Sequence, residues 1–265
     1  MSRARSVLLL SVLATMAAMS CPARPAMAAT LTWNANGRGA PSDGSGSWSL
    51  TGSNWWSGSA NQPWRNADHD TAQFGAGSGG STACTVRLGQ AVTVGGIIFQ
   101  NQAYTLTGGT LMLSAGTITT SAASATIGSV LAGAGGLTKT GTGTLTLLGA
   151  NTYGGKTAVN AGTLLIGNSH ALQNSTLTTG GGGAIAFSSK VASHAFTLGG
   201  LSGSGTIAMT DDAGNPVALT IGNNNADATF SGVLTGAGSL TVTGTGTLTI
   251  TGSITSTPPG PARAH

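Results

Sequence analysis

The residues able to do chemistry are few, and most sit in two short acidic stretches. Asp68-His69-Asp70 follows Pro63-Trp64-Arg65-Asn66, and Asp211-Asp212 opens Asp211-Asp212-Ala213-Gly214-Asn215-Pro216. Paired carboxylates could hydrolyse a glycosidic bond, with one as general acid and the other as base or nucleophile across a cleft. Asp68 and Asp70 share a face if that stretch is extended, with His69 opposite, but its composition reads as a solvated turn. Adjacent carboxylates such as Asp211 and Asp212 point apart on a strand, and Gly and Pro mark this stretch as another turn. Two Asp plus Asn215 fall short of the six to eight oxygens that calcium takes. His69, His170, His194 and His265 have no zinc-ligand spacing. The chain contains no glutamate. No Gly-x-Ser-x-Gly lies between a strand and a helix, and Gly203-Ser204-Gly205 falls among strand repeats. Lys139 and Lys156 each precede a Thr, but neither follows a phosphate-binding glycine loop into a helix. Cys84, between Ala83 and Thr85, reads as a small buried strand residue. The expectation is no catalytic residue, no cofactor, no bound metal and no enzymatic activity.

The elements around these residues are strands. The chain has 265 residues, 44 of them Gly, and only 16 are Asp, Glu, Lys or Arg. Gly, Thr and Ser are poor interior helix residues, and the usual surface helix formers are nearly missing. Val130–Gly149 (VLAGAGGLTKTGTGTLTLLG) recurs as Val233–Gly252 (VLTGAGSLTVTGTGTLTITG), identical at 15 of 20 positions with an offset of 103. Gly-Thr-Leu or Gly-Thr-Ile starts at Gly109, Gly116, Gly143, Gly162, Gly205 and Gly246, and from Gly143 onward the gaps are 19, 43 and 41, near 20 or twice that. The offset then equals five units of about 20–21 residues. Inside each unit Leu alternates with Thr, which marks half-buried strands. Leu145, Leu147, Leu164, Leu248 and Ile250 are expected to point inward. A period near twenty with glycine corners predicts an all-β parallel β-helix, in which stacked coils bury one continuous core. At one coil per unit, the chain after the leader makes about 10–11 coils.

The N-terminus reads as a secretory signal peptide over residues 1–28. Arg3 and Arg5 are the charged start, Val7 to Ala18 the apolar core, and Ala26-Met27-Ala28 the small-residue site, with the cut after Ala28. An uncleaved anchor and lipidation at Cys21 are the alternatives. After that cut seven basic residues face six acidic ones, so no basic patch for nucleic acid exists. No later segment is long and apolar enough for a transmembrane helix. All five tryptophans (Trp33, Trp48, Trp55, Trp56, Trp64) fall within residues 29–80. They admit two readings: a cap over the first open coil, or an exposed sugar-stacking or adhesive patch. Residues 81–255 carry the repeats, and the Pro-rich residues 256–265 read as a disordered tail.

Gly136–Gly167 (GLTKTGTGTLTLLGANTYGGKTAVNAGTLLIG) resembles the autotransporter-associated β-strand repeat, also called the passenger-associated transport repeat. The matching pieces are Leu137 to Leu145, Asn151-Thr152-Tyr153, Gly154-Gly155, Thr157 to Val159 and Asn160 to Leu164. The later copy departs from it, with Val242 in place of the lysine. Thr32-Trp33-Asn34, Asn54-Trp55-Trp56 and Asp70 to Phe74 resemble the start of such passengers. The resemblance implies a right-handed parallel β-helix outside the cell or on its surface, and a non-enzymatic, adhesin-like role toward a carbohydrate or a host or cell-surface ligand. Classical members add a C-terminal outer-membrane barrel, which this sequence does not show. A truncated passenger and a carbohydrate-active β-helix enzyme remain the competing readings.

Overall fold

The computed structural model describes residues 28–77, 83–101, 103–121 and 124–255. The signal peptide and Cys21 assignments, apart from Ala28, and the tail at 256–265 lie outside the described residues. Every regular element among the described residues is a strand. The strands wind into a parallel β-solenoid of about eight turns.

Each turn visits three faces. Face I carries Cys84–Leu88, Tyr104–Thr107, Ala125–Ile127, Thr144–Leu147, Thr163–Ile166 and Ala184–Phe187, hydrogen-bonded in that order. Faces II and III are often two halves of one bent strand. Val92–Phe99 and Thr110–Thr120 pair along both halves, and the register shifts between Val94 and Gly96. At that bend Gly116 has φ +76°, and a Cβ there would collide with the Gly136 carbonyl of the next turn. Only glycine combines that conformation with that approach.

Alternation fixes what goes inside. Thr144–Leu147 places Leu145 and Leu147 in the core and its threonines outside. Leu164 is equally buried. Leu248 and Ile250, on the last described turn, pack against the core but are only partly covered. Successive face I strands are offset by 21 residues (Tyr104 to Ala125), 20 (Ala125 to Leu145) and 19 (Leu145 to Leu164). The period then stretches to 24 (Leu177 to Leu201) and 27 (Thr206 to Val233). The expected 10–11 coils are therefore too many. Long turns consume residues, and the N-terminal segment spreads its one coil over 41 residues (Thr30 to Thr71), within which Trp33 pairs antiparallel with Trp55.

The stretched turns also overturn the reading of the 103-residue offset as five whole units. Val130–Ala132 lies on face II, but its copy Val233–Thr235 pairs with Thr206–Ala208 in the continuation of face I. Leu137–Thr140 is on face III, whereas Ser239–Val242 pairs with Ala218–Ile221 on face II. Thr144–Leu147 is on face I, whereas Leu248–Ile250 pairs with Ala228–Phe230 on face III. The same unit sits one face earlier each time. Its corners keep their shape, with φ +119° at Gly133 and +102° at Gly236, and +75° at Gly141 and +77° at Gly244. The three faces are interchangeable because each asks for a short strand with alternate apolar residues between glycine corners.

Candidate functional site

The acidic stretches are structural joints. Asp70 is 4% exposed. The sheet pairing of Thr71 with Thr30 draws it beneath Ala29, whose backbone N–H donates to its Oδ1 at 2.6 Å. Burial pushes this carboxyl upward, the Ala29 N–H opposes that, and the nearby Asp68 charge adds to it. His69 is exposed with φ +52°. A solvated turn is thus the wrong description of Asp70, because its backbone is part of the first rungs.

Asp211 departs from expectation in the same way. Its carboxylate accepts from the Ala213 N–H at 2.9 Å, the Asn215 N–H at 2.8 Å and the Asn215 side chain at 3.0 Å. It also meets His194 Nδ1 at 2.7 Å. Burial would raise this carboxyl, but Asn215, Ala213 and His194 together hold it down at about 2. Asp212 accepts from the Ser189 N–H at 2.7 Å, which lowers its carboxyl too. The two carboxylates therefore bolt the Asp211–Asn215 loop to the Ser188–His194 loop of the preceding turn. These loops hold residues that lengthen the turns. Nothing in the spacing of His194 and Asp211 announces their meeting, and the stretched repeat interval there is the one available signal. Among the described residues no three His, Cys, Asp or Glu side chains converge as a metal site.

Lys139 is turned inward. It occupies a core position of Leu137–Thr140, and its Nζ donates to the carbonyls of Thr140 (2.8 Å), Gly141 (2.7 Å) and Ala161 (3.1 Å). Burial pulls its amine down to about 8. Asn151 joins three successive turns on face II, accepting from the Leu131 N–H at 2.8 Å and donating to the Ala171 carbonyl at 3.0 Å. Cys84 is buried, as its neighbours suggest, and burial pushes its thiol up. Its strand neighbour Tyr104 donates to Asp43 at 2.9 Å.

Four of the tryptophans are interior. Trp33, Trp48, Trp55 and Trp64 are at most 1% exposed; the first three pack on Phe74, and Trp64 packs on Trp48 and Trp55. Trp48 and Trp55 have ring centroids 4.6 Å apart, Trp55 and Trp64 4.7 Å. Trp33 donates to the Gly44 carbonyl and Trp64 to that of Thr93. Trp56 is half-buried, so these rings form no exposed stacking platform.

Threonine hydroxyls stand in ordered lines on the outer faces. On face I the outward positions Thr85, Thr105, Thr126 and Thr146 stand in one register line. On face III Thr117 and Thr119 lie beside Thr138 and Thr140, with the Thr119 and Thr140 hydroxyls 2.8 Å apart. Between Thr71 and Thr117 the line drops to Gly96. A shallow groove of about 320 Å³ opens there, lined by Thr71, Gly96, Ile98, Ala115, Thr117 and Thr119.

A passenger-associated-transport-repeat family matches residues 137–166, the turn that holds Lys139, Asn151 and Tyr153. Over 231 residues, 76% of this chain, the sequence is 39% identical to the adhesin BmaC autotransporter of Brucella suis biovar 1 (strain 1330). The chain is an autotransporter passenger repeat protein. The passenger spans 7% of the length of that relative. No solved structure matches it significantly. The family match falls on a turn bonded densely to its neighbours. Tyr153 is buried and hydrogen-bonds Thr157 at 2.7 Å, and Thr157 in turn bonds Ser175 at 2.7 Å. In the passenger the matched residues are therefore fastenings between turns.

Proposed function

We propose that this passenger is exported by its leader (residues 1–28) to the cell surface or beyond, and acts there as a non-enzymatic adhesive rod. Residues 29–80 close one end, residues 81–255 supply the surface, and residues 256–265 trail from it. The observation that carries this reading is the fate of the polar groups. The carboxylates best placed for acid–base work are spent on joints, while the long outer faces present uncharged hydroxyls in register. Such a surface suits a neutral carbohydrate or a host or cell-surface ligand, through many weak contacts rather than one deep pocket. The seven basic residues that follow Ala28 are scattered along the sequence, which does not favour nucleic acid as the ligand. The naming of the Brucella relative as an adhesin agrees with this.

The test is retention of the purified chain on a glycan and cell-surface panel. Binding without release of sugar fragments is expected. Thr119→Arg with Thr140→Arg should weaken that binding while leaving the melting temperature within a few degrees, because both positions face outward. Release of oligosaccharide that disappears in Asp70→Ala or Asp211→Ala would replace this reading with an enzymatic one.

A further inference from the structure

Asp70 is a buried carboxylate aimed at one particular nitrogen. The Ala29 N–H lies 2.6 Å from its Oδ1, and the Ala29 carbonyl accepts from the Thr71 N–H at 2.7 Å. The Asp70 carbonyl is itself held by the Gly95 N–H at 2.8 Å. The carboxylate is thus fixed between the first two rungs, Thr30–Trp33 and Thr71–Phe74, and the next strand, Val92–Phe99. In sequence, Ala29 is the residue that follows the small-residue site Ala26-Met27-Ala28. The residue that a signal peptidase would leave as the new N-terminus is therefore the one whose nitrogen Asp70 addresses.

We propose that removal of the leader after Ala28 converts the Ala29 nitrogen into an ammonium that pairs with the buried Asp70 carboxylate, and that this ion pair locks the first strand of the solenoid only in the processed chain. The hydrolysis consumes one water. Its hydroxyl adds to the Ala28 carbonyl carbon, the Ala28–Ala29 bond breaks, and a hydrogen goes to the Ala29 nitrogen. An α-amino group titrates near ~8, so at neutral pH the freed amine takes a further proton from solvent. Ala28 and Ala29 are both exposed, so the bond is within reach. Before the cut, Asp70 meets only a neutral amide donor. After it, an opposite charge stands at hydrogen-bond distance, and such contacts are about twice as strong as neutral ones. The ionisable groups beside Asp70 are Asp68 and His69 on its own loop, while Ala29–Trp33 and Val92–Phe99 carry none. Before export the first strand is thereby held more weakly; afterwards it is fastened.

The proposal rests on the export reading, and the experiment separates the two. The exported chain is purified and its N-terminus read by mass; Ala29 is expected, and any other mature N-terminus overturns the proposal. A retained leader would also sink the export reading. The chain starting at Ala29 is then compared with one that keeps Ala28, which moves the ammonium by one residue, each with and without Asp70→Asn. At pH 6 the Ala29 chain should have an unfolding equilibrium constant lower by roughly tenfold or more. That advantage should vanish in Asp70→Asn and shrink as the pH passes ~8. Equal stability of the two termini, or an advantage that survives Asp70→Asn, overturns the ion pair and leaves export standing. If Asp70→Asn does not fold, the Asp70 carboxyl is titrated by NMR in the two unsubstituted chains. A lower pKa in the Ala29 chain is expected, and identical values refute the pair.

Discussion

Replacing Lys139 by Met isolates the contribution of one buried cation to the repeat. Met keeps most of the volume and removes the charge. Two effects then oppose each other. Burying an ammonium costs several kcal/mol, and its removal relieves that cost. Yet the Nζ serves three carbonyl oxygens, those of Thr140, Gly141 and Ala161, and each buried acceptor left without a donor costs about 1–3 kcal/mol. With three orphaned acceptors against one relieved charge, the loss should be about 2–4 kcal/mol. For a chain of this size that lowers the melting temperature by roughly 5–15 °C. The pH dependence gives an independent reading. Burial holds this amine at about 8, below the ordinary 10.5. Between those values the unfolded chain binds more protons than the folded one, so wild-type stability should rise with pH across that window. Below about pH 8 both states hold the proton and this contribution to the slope disappears. Lys139→Met should lack the rise. Denaturant melts of both chains from pH 6.5 to 10.5 make the comparison, with Val242→Lys as control. Val242 is the counterpart in the second copy and is 51% exposed, so a lysine there should change stability by under about 0.5 kcal/mol. A Lys139→Met chain as stable as wild type, with the same pH slope, would refute the carbonyl cage.

Leu145→Asp should unfold the turn it occupies, since an unpaired charge in the core costs several kcal/mol, whereas Thr146→Asp on the outer side should be mild; equal losses in urea melts would mean the facing is wrong. Asp211→Asn should weaken the joint between the two long loops at neutral pH. Because the wild-type carboxyl sits at about 2, below its ordinary 3.8, the stabilisation it supplies is present above pH 4 and lost as the pH falls through about 2. The variant should lack that acid-dependent loss, as followed by circular dichroism. Deleting residues 30–74 should expose the aromatic end of the core and drive association; a monodisperse monomer with unchanged melting in sedimentation would show that the tryptophans cap nothing.

Period-two alternation and glycine corners made the strands and their facing legible, and Leu145, Leu147 and Leu164 sit where the pattern puts them. Phase was not legible. A unit that fits any face carries no mark of which face it occupies, and the number of residues per turn is set by loops whose length obeys no repeat. The carboxylates were misjudged for a related reason. A turn-like composition says that Asp70 and Asp211 lie between strands, but their burial depends on which backbone the neighbouring turn brings above them. His194 and Asp211 meet because consecutive turns stack two long loops, which no local pattern records. Lys139 shows how far alternation can be trusted: it shares the phase of Leu137, and the fold accepts it inside because a corner of carbonyls waits there.

The indifference of the repeat to its face bears on how such a rod can change over generations. If a unit had to return to the same face, only whole-turn duplications would survive, and each would lengthen the rod by one ~4.8 Å step. Here a copied segment re-enters the spiral a third of a turn out of phase and still packs its leucines against the core. Slippage during replication thus has three acceptable outcomes where a stricter coil would have one. Each outcome also turns whatever loop follows toward a different side of the rod, so the direction in which a protrusion is displayed can shift by insertion alone, with every core residue left as it was.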